Sequence, residues 1–171
     1  GGWNVLPRTP VDGEGGMPWL IHAVFIEMAS SGNGSLSMLT GLIAGAVELL
    51  EAHASEEQKA LYIPKLLSGQ WAGTMNLSEP DAGSSLGELR TKAIPQPDGS
   101  YRIQGVKRYI SWGDHDLAEN IVHLVLARMP DAPAGSAGVS CFIATKYLVN
   151  PDGSLGARND MRALSVEQNM G

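Results

Sequence analysis

With 171 residues, 43% of them hydrophobic, the chain can build a core in one ordinary domain or two small units, which argues against disorder. A net charge of −6 and a pI near 5.1 argue against general nucleic-acid binding, which needs a basic surface to displace counterions. A phosphate-bearing small ligand stays compatible, because backbone N–H groups and one or two cations can hold it locally. Cys141 is the only cysteine, so no internal disulfide forms, and a reducing, cytoplasmic setting is expected. No apolar run approaches the ~20 residues of a membrane span, no membrane partner is expected, and no signal peptide is visible. The chain starts Gly1-Gly2-Trp3 without Met and stops at Met170-Gly171, so it reads as an internal piece of a longer protein.

Residues 2–16 are rich in Gly and Pro without a period and read as loop. Residues 18–30 carry Leu20, Ala23, Val24 and Met28 near helical spacing. Ser30-Ser31-Gly32-Asn33-Gly34 marks a break. A second helix is expected over residues 36–53, with Leu42, Ile43, Val47, Leu49 and Leu50 on one face and Gly41 and Gly45 open to a close neighbour. Ser55-Glu56-Glu57-Gln58 is a capping box that starts a short helix holding Leu61, Tyr62, Leu66 and Leu67. Pro64 inside it predicts a kink or early stop, and Gly69 can close it.

After Gly69 the pattern changes to short strands over residues 71–78, 89–94, 101–104, 106–111, 121–128 and 139–145. Pro97-Asp98-Gly99-Ser100 predicts a hairpin turn. Helices followed by strands give an α+β class with a boundary near Gly69-Gln70.

The most informative stretch is Leu77-Ser78-Glu79-Pro80-Asp81-Ala82-Gly83-Ser84-Ser85, a strand ending in a polar turn. Pro80 fixes the backbone, Gly83 allows close approach, and Ser78, Ser84 and Ser85 offer hydroxyls. Successive N–H groups in such a turn form an anion-binding concavity. From composition alone, a plain surface turn is the favoured reading.

This stretch resembles the Leu/Val-Thr/Ser-Glu-Pro-x-Ala-Gly-Ser signature of the acyl-CoA dehydrogenase family. A second similar block is Tyr101-Arg102-Ile103-Gln104-Gly105-Val106-Lys107-Arg108-Tyr109-Ile110-Ser111. A third lies upstream in Ala54-Ser55-Glu56-Glu57-Gln58-Lys59 and Tyr62-Ile63-Pro64-Lys65-Leu66. The three blocks stand in family order, and the resemblance covers nearly the whole chain. The resemblance implies the end of an N-terminal helical domain (residues 1–69), then most of a small antiparallel β-domain (residues 70–171). A C-terminal helical domain carrying a glutamate base would lie outside the sequence.

It further implies FAD as cofactor and an acyl-CoA thioester as substrate, oxidised to a trans-2-enoyl-CoA. Leu77 and Ser78 would meet the polar edge of the flavin, and Gly83 and Ser84 the FAD diphosphate, with Ser84 also near the acyl-CoA. Met75 would line the site. Tyr109, Ile110 and Ser111 would lie beside the flavin, with Ser111 near N5, where a hydrogen bond helps as electron density builds. None of these residues is the catalytic base. The implied partners are an electron-transferring flavoprotein and further copies of the chain, in a dimer or tetramer. Gly113-Asp114-His115-Asp116-Leu117, residues 119–128, Pro130-Asp131-Ala132-Pro133 and residues 150–159, the last reading as a long loop, resemble the branch acting on 3-(methylthio)propanoyl-CoA and similar acyl-CoAs. Asp81, Ser85 and Trp112 differ from the residues common at their positions. An acyl-CoA oxidase and a non-catalytic relative stay open as alternatives.

Other features have plainer readings. Asp114-His115-Asp116 reads as a solvated loop, not a metal site, because adjacent residues rarely converge on one ion. His22, His53 and His123 read as packing or surface residues. Cys141 reads as a buried small hydrophobe, and Met17, Met28 and Met38 as core filler.

Overall fold

The computed structural model describes residues 18–167; the expected loop over residues 2–16, and Met17, lie outside them. Helix α1 spans Trp19–His53 and joins the two predicted helices across a kink. The break falls inside the expected stretch, at Asn33, whose φ of −158° and ψ of 95° are non-helical. Its Oδ1 accepts the N–H of Leu36 at 2.9 Å, so Asn33 caps the second half. Because the two halves run on, Leu20–His53 holds an 18-residue window of mean hydropathy 1.4, long and apolar enough to cross a membrane by length and composition. Reading two separate helices hid that run.

The second half of α1 faces the core. Ile43, Ala46, Val47 and Leu50 are buried in one cluster with Trp71, Val122 and Leu124, and with Ile63 and Leu66 of α2, Glu56–Leu67. Full burial of each such side chain contributes about 1.5–3 kcal/mol. Gly41 and Gly45 do not accept a neighbour as expected: a Cβ on either meets nothing within 4 Å. The close approach comes from the sheet, where a Cβ on Gly73 would sit 2.7 Å from the Ala46 Cβ. Met28 and Met38 are 71% and 42% exposed, not core filler, because they lie off the face that α1 packs on the sheet.

The capping box of α2 is formed in both directions, Gln58 N–H to Ser55 Oγ and Ser55 N–H to Gln58 Oε1. Pro64 does not stop the helix, which reaches Leu67 because the flanking Ile63 and Leu66 are buried. Gly69, at φ 75°, then turns the chain.

Five strands form one sheet: β1 Trp71–Asn76, β2 Lys92–Pro95, β3 Tyr101–Gln104, β4 Asn120–Arg128 and β5 Val139–Thr145. Strand β4 is the spine. One of its edges is covered by antiparallel β5, from Val122↔Thr145 to Arg128↔Val139. The other edge is shared. Parallel β1 runs from Trp71↔Asn120 to Asn76↔Val125, and parallel β2 joins at Lys92↔Arg128. The α+β class is as expected, but the β-layer is mixed instead of purely antiparallel. β1 and β2 are two pieces of one interrupted strand line, and both run with β4. The predicted hairpin joins β2 and β3, with Gly99 at φ 83° in its turn. The expected loop over residues 150–159 is half strand: β6, Tyr147–Val149, pairs with β7, Leu155–Arg158.

Gly73→Ala is expected to destabilise the protein by about 1–3 kcal/mol in a denaturant titration, since Ala46 or the strand must shift. Gly41→Ala and Gly45→Ala, in open helical positions, are expected to be neutral or stabilising by up to ~1 kcal/mol.

Candidate functional site

Residues 77–91 leave the edge of β4 after β1 and return to it where the Arg128 N–H donates to the Thr91 carbonyl at 2.9 Å. Within this loop Glu79 and Ala82 exchange backbone bonds at 2.7 and 3.3 Å. The Glu79 side chain points inward and is 6% exposed. Its carboxylate accepts the N–H of Arg90 at 2.7 Å, the N–H of Thr91 at 3.1 Å and the Lys107 ammonium at 2.9 Å. Lys107 also donates to the Leu77 carbonyl at 3.0 Å. One carboxylate therefore ties the start of the loop, its end and the chain leaving β3. Gly105 permits that crossing, because a Cβ there would overlap Thr91.

Burial alone would raise the Glu79 carboxyl. The Thr91 side chain, the N–H of Arg90, the Lys107 ammonium and the N–H of Thr91 outweigh it and bring the pKa from 4.5 to about 2. The same burial pushes the Lys107 ammonium down, opposed by Glu79. Glu79 therefore stays ionised at neutral pH.

Residues 106–111 are not the predicted strand. Their backbone groups go elsewhere: the Arg108 N–H donates to the Ser78 carbonyl at 2.9 Å, and the Ser111 carbonyl accepts the Thr74 hydroxyl at 2.7 Å. Tyr109 and Trp112 take φ of 59° and 55°, the left-handed region that side chains disfavour. The Gly113 N–H to Ile110 carbonyl bond closes the turn. The Trp112 indole N–H reaches the Ser35 carbonyl of α1 at 2.9 Å.

The two expected stretches thus meet. Ser78 lies one hydrogen bond from Arg108, next to Tyr109, and Ser111 lies one bond from β1. Leu77 and Ser78 are half-buried, and Gly83 and Ser84 are exposed on the outer turn. Tyr109 is exposed beneath the Arg108 guanidinium, Ile110 is half-buried and Ser111 is exposed. An open groove runs past Asn76, Pro80, Lys107 and residues 109–112 to Gly34, Ser35 and Met38 of α1. Met75, Leu77, Ser78, Gly83 and Ser84 lie outside that lining. Met75 packs instead against the core.

Asp81 is paired with Arg90 at 3.2 Å, which offsets its charge on the loop. Among the described residues, no protein acceptor engages the backbone N–H of Gly83, Ser84 or Ser85. Free N–H groups beside serine hydroxyls suit an acceptor-rich ligand such as a flavin or a diphosphate. The residues present fit FAD.

Sequence reasoning passed over Glu79, Lys107 and Thr74. A buried acid needs a buried cation, and Lys107 is the lysine inside the second motif. Nothing in their spacing fixes the pairing. Elsewhere, Asp114 is held by Lys146 at 2.7 Å and Arg158 at 3.3 Å, and His115 Nδ1 accepts the Leu117 N–H. That loop is braced by ion pairs, not simply solvated. His123 is buried beside Asn76, 3.2 Å away, and burial drives its pKa down to about 4, so it is neutral at pH 7. Cys141 is exposed, not buried, although Ile143, on the same side of β5, packs against the core cluster.

A layer of helices over a mixed sheet, with a serine-rich loop inserted in the sheet edge, defines an α+β unit. Residues 2–70 match the acyl-CoA dehydrogenase N-terminal domain and residues 74–166 the acyl-CoA dehydrogenase middle domain. The chain belongs to the acyl-CoA dehydrogenase family. It is 44% identical, over 99% of its length, to 3-methylmercaptopropionyl-CoA dehydrogenase of Ruegeria pomeroyi. It is 47% identical, over 92% of its length, to a butyryl-CoA dehydrogenase of Syntrophomonas wolfei. It spans 29% and 26% of these two relatives. Among solved structures, an acyl-CoA dehydrogenase complexed with FAD from Bacillus anthracis matches 84% of the chain, and 24% of its own length, at 26% identity and a TM-score of 0.67.

The folded-state pKa of Glu79 lies below its unfolded value, so the stability it contributes is present above pH 4.5. That contribution is lost as pH falls toward 2. Lys107→Met leaves a buried carboxylate unpaired and is expected to cost about 3–5 kcal/mol at pH 7. The Glu79→Gln/Lys107→Met double variant should lose less than Lys107→Met alone. Denaturant titrations across pH 3–8 measure both effects.

Proposed function

We propose that this chain is the flavin-holding part of an FAD-dependent acyl-CoA dehydrogenase. Its reaction is the α,β-dehydrogenation of an acyl-CoA thioester to a trans-2-enoyl-CoA. The supporting observation is the junction of residues 77–79 with residues 107–111 through the Arg108 N–H and the buried Glu79–Lys107 pair. FAD, when bound, supplies the acceptor for the hydride. Leu77, Ser78, Gly83, Ser84, Tyr109, Ile110 and Ser111 are the residues we assign to hold it. Ser84 would also meet the acyl-CoA. Met75, packed on the core, would act from behind this wall.

The chain's own residues bind and orient; they do not supply the base. The α-proton of a free thioester is too weakly acidic for a carboxylate unless the carbonyl is held by donors and water is excluded. A glutamate from the remaining polypeptide would take that proton. The kinship with 3-methylmercaptopropionyl-CoA dehydrogenase favours a short or sulfur-containing acyl group, such as 3-(methylthio)propanoyl-CoA. Electrons would pass to an electron-transferring flavoprotein, and the whole protein would assemble as a dimer or tetramer in the cytoplasm. We keep the division near Gly69-Gln70, where α2 ends and β1 begins.

The full-length protein is expected to purify with flavin, or take it up, and to reduce a dye when given a short acyl-CoA. Residues 1–171 alone should show no turnover and weak flavin binding. A full-length protein that binds no flavin, or that makes hydrogen peroxide at the rate of substrate loss, would overturn the dehydrogenase reading.

A further inference from the structure

We infer that Thr74 and Trp112 are positioning residues that hold the turn at residues 109–113 in the shape the flavin requires, an inference that rests on the function proposed above. The backbone of this turn is costly. Tyr109 and Trp112 both adopt left-handed φ without being glycine, and such backbone persists only where its surroundings over-determine it. Two hydrogen bonds, one to each flanking layer, do this. From the sheet, Thr74 gives its hydroxyl to the Ser111 carbonyl at 2.7 Å. From the helix layer, the Ser35 carbonyl, two residues past the Asn33 break, accepts the Trp112 indole N–H at 2.9 Å.

The chemistry of Thr74 favours a specific use of its hydroxyl. Position 74 is 1% exposed in a parallel pair, where a valine of the same shape would pack as well. A buried hydroxyl is unfavourable unless it is bonded, and the bond this one makes is to the turn. Thr74 does not line the groove, so it acts through Ser111. Trp112 does line it, and its ring also stands edge-on to His115, at 5.3 Å between centroids. Between the two anchors, Ser111 keeps its side chain exposed.

The test uses the full-length protein stripped of flavin and titrated with FAD, with amide exchange at residues 109–113 and thermal melts recorded in parallel. Thr74→Val is expected to raise the FAD dissociation constant about tenfold, the loss of roughly one hydrogen bond, and to speed exchange across the turn. Thr74→Ser, which keeps the hydroxyl, should restore both. Trp112→Phe, which keeps the ring and loses the N–H, should weaken FAD in the same direction. A Thr74→Val protein that melts lower but binds FAD like the parent would overturn the inference, as would failure of Thr74→Ser to restore binding. If Thr74→Val does not fold, Trp112→Phe decides: unchanged affinity and exchange reject the idea. A parent protein that takes up no FAD rejects the proposed function itself, which separates the two failures.

Discussion

The buried pair of Glu79 and Lys107 is the contact on which the rest of the site depends. A carboxylate and an ammonium are taken out of water together, and the N–H groups of Arg90 and Thr91, from the far end of the same loop, also donate to the carboxylate. Burying charges in this way is a poor source of net stability, because desolvation consumes much of the attraction. It is a good source of definition. A loop held by one such centre has few alternative shapes, because each alternative strands a charge. The polar turn that follows can therefore remain exposed and lightly packed while keeping its form.

The second stretch inherits that definition. Lys107 is fixed by Glu79, so Arg108 is delivered to the Ser78 carbonyl and the chain enters its left-handed turn from a set starting point. The order of cause runs from ion pair to loop to turn. The helical layer contributes at one place, where the break in α1 brings the Ser35 carbonyl within reach of Trp112. Helix, loop and sheet thus converge on a few residues.

Much of this was legible in the residues. The capping box at Ser55, the Asp98-Gly99 hairpin, the closing Gly69 and the apolar face through Ile43, Val47 and Leu50 are local signals, and local physics decided them. The α+β class followed from their order. What could not be read depended on distant partners. Residues 106–111 read as a strand, but their hydrogen bonds go to a loop and a side chain far away in sequence. Gly41 and Gly45 looked made for close packing, while the intimate contact belongs to Gly73 on the other element. Cys141 sits in an apolar run but is exposed, while Ile143 on the same side of β5 reaches the core. The site motifs drew attention to serines and glycines, whereas the glutamate among them holds the loop.

The split edge of β4 has an evolutionary consequence. β1 stops opposite Val125 and β2 resumes opposite Arg128, so the spine strand fixes where the intervening segment must depart and rejoin. That spacing works as a gauge built into the protein's own hydrogen bonding. Sequence drift within residues 77–91 can reshape what the segment presents without moving the strands that carry it, provided the glutamate and its lysine persist.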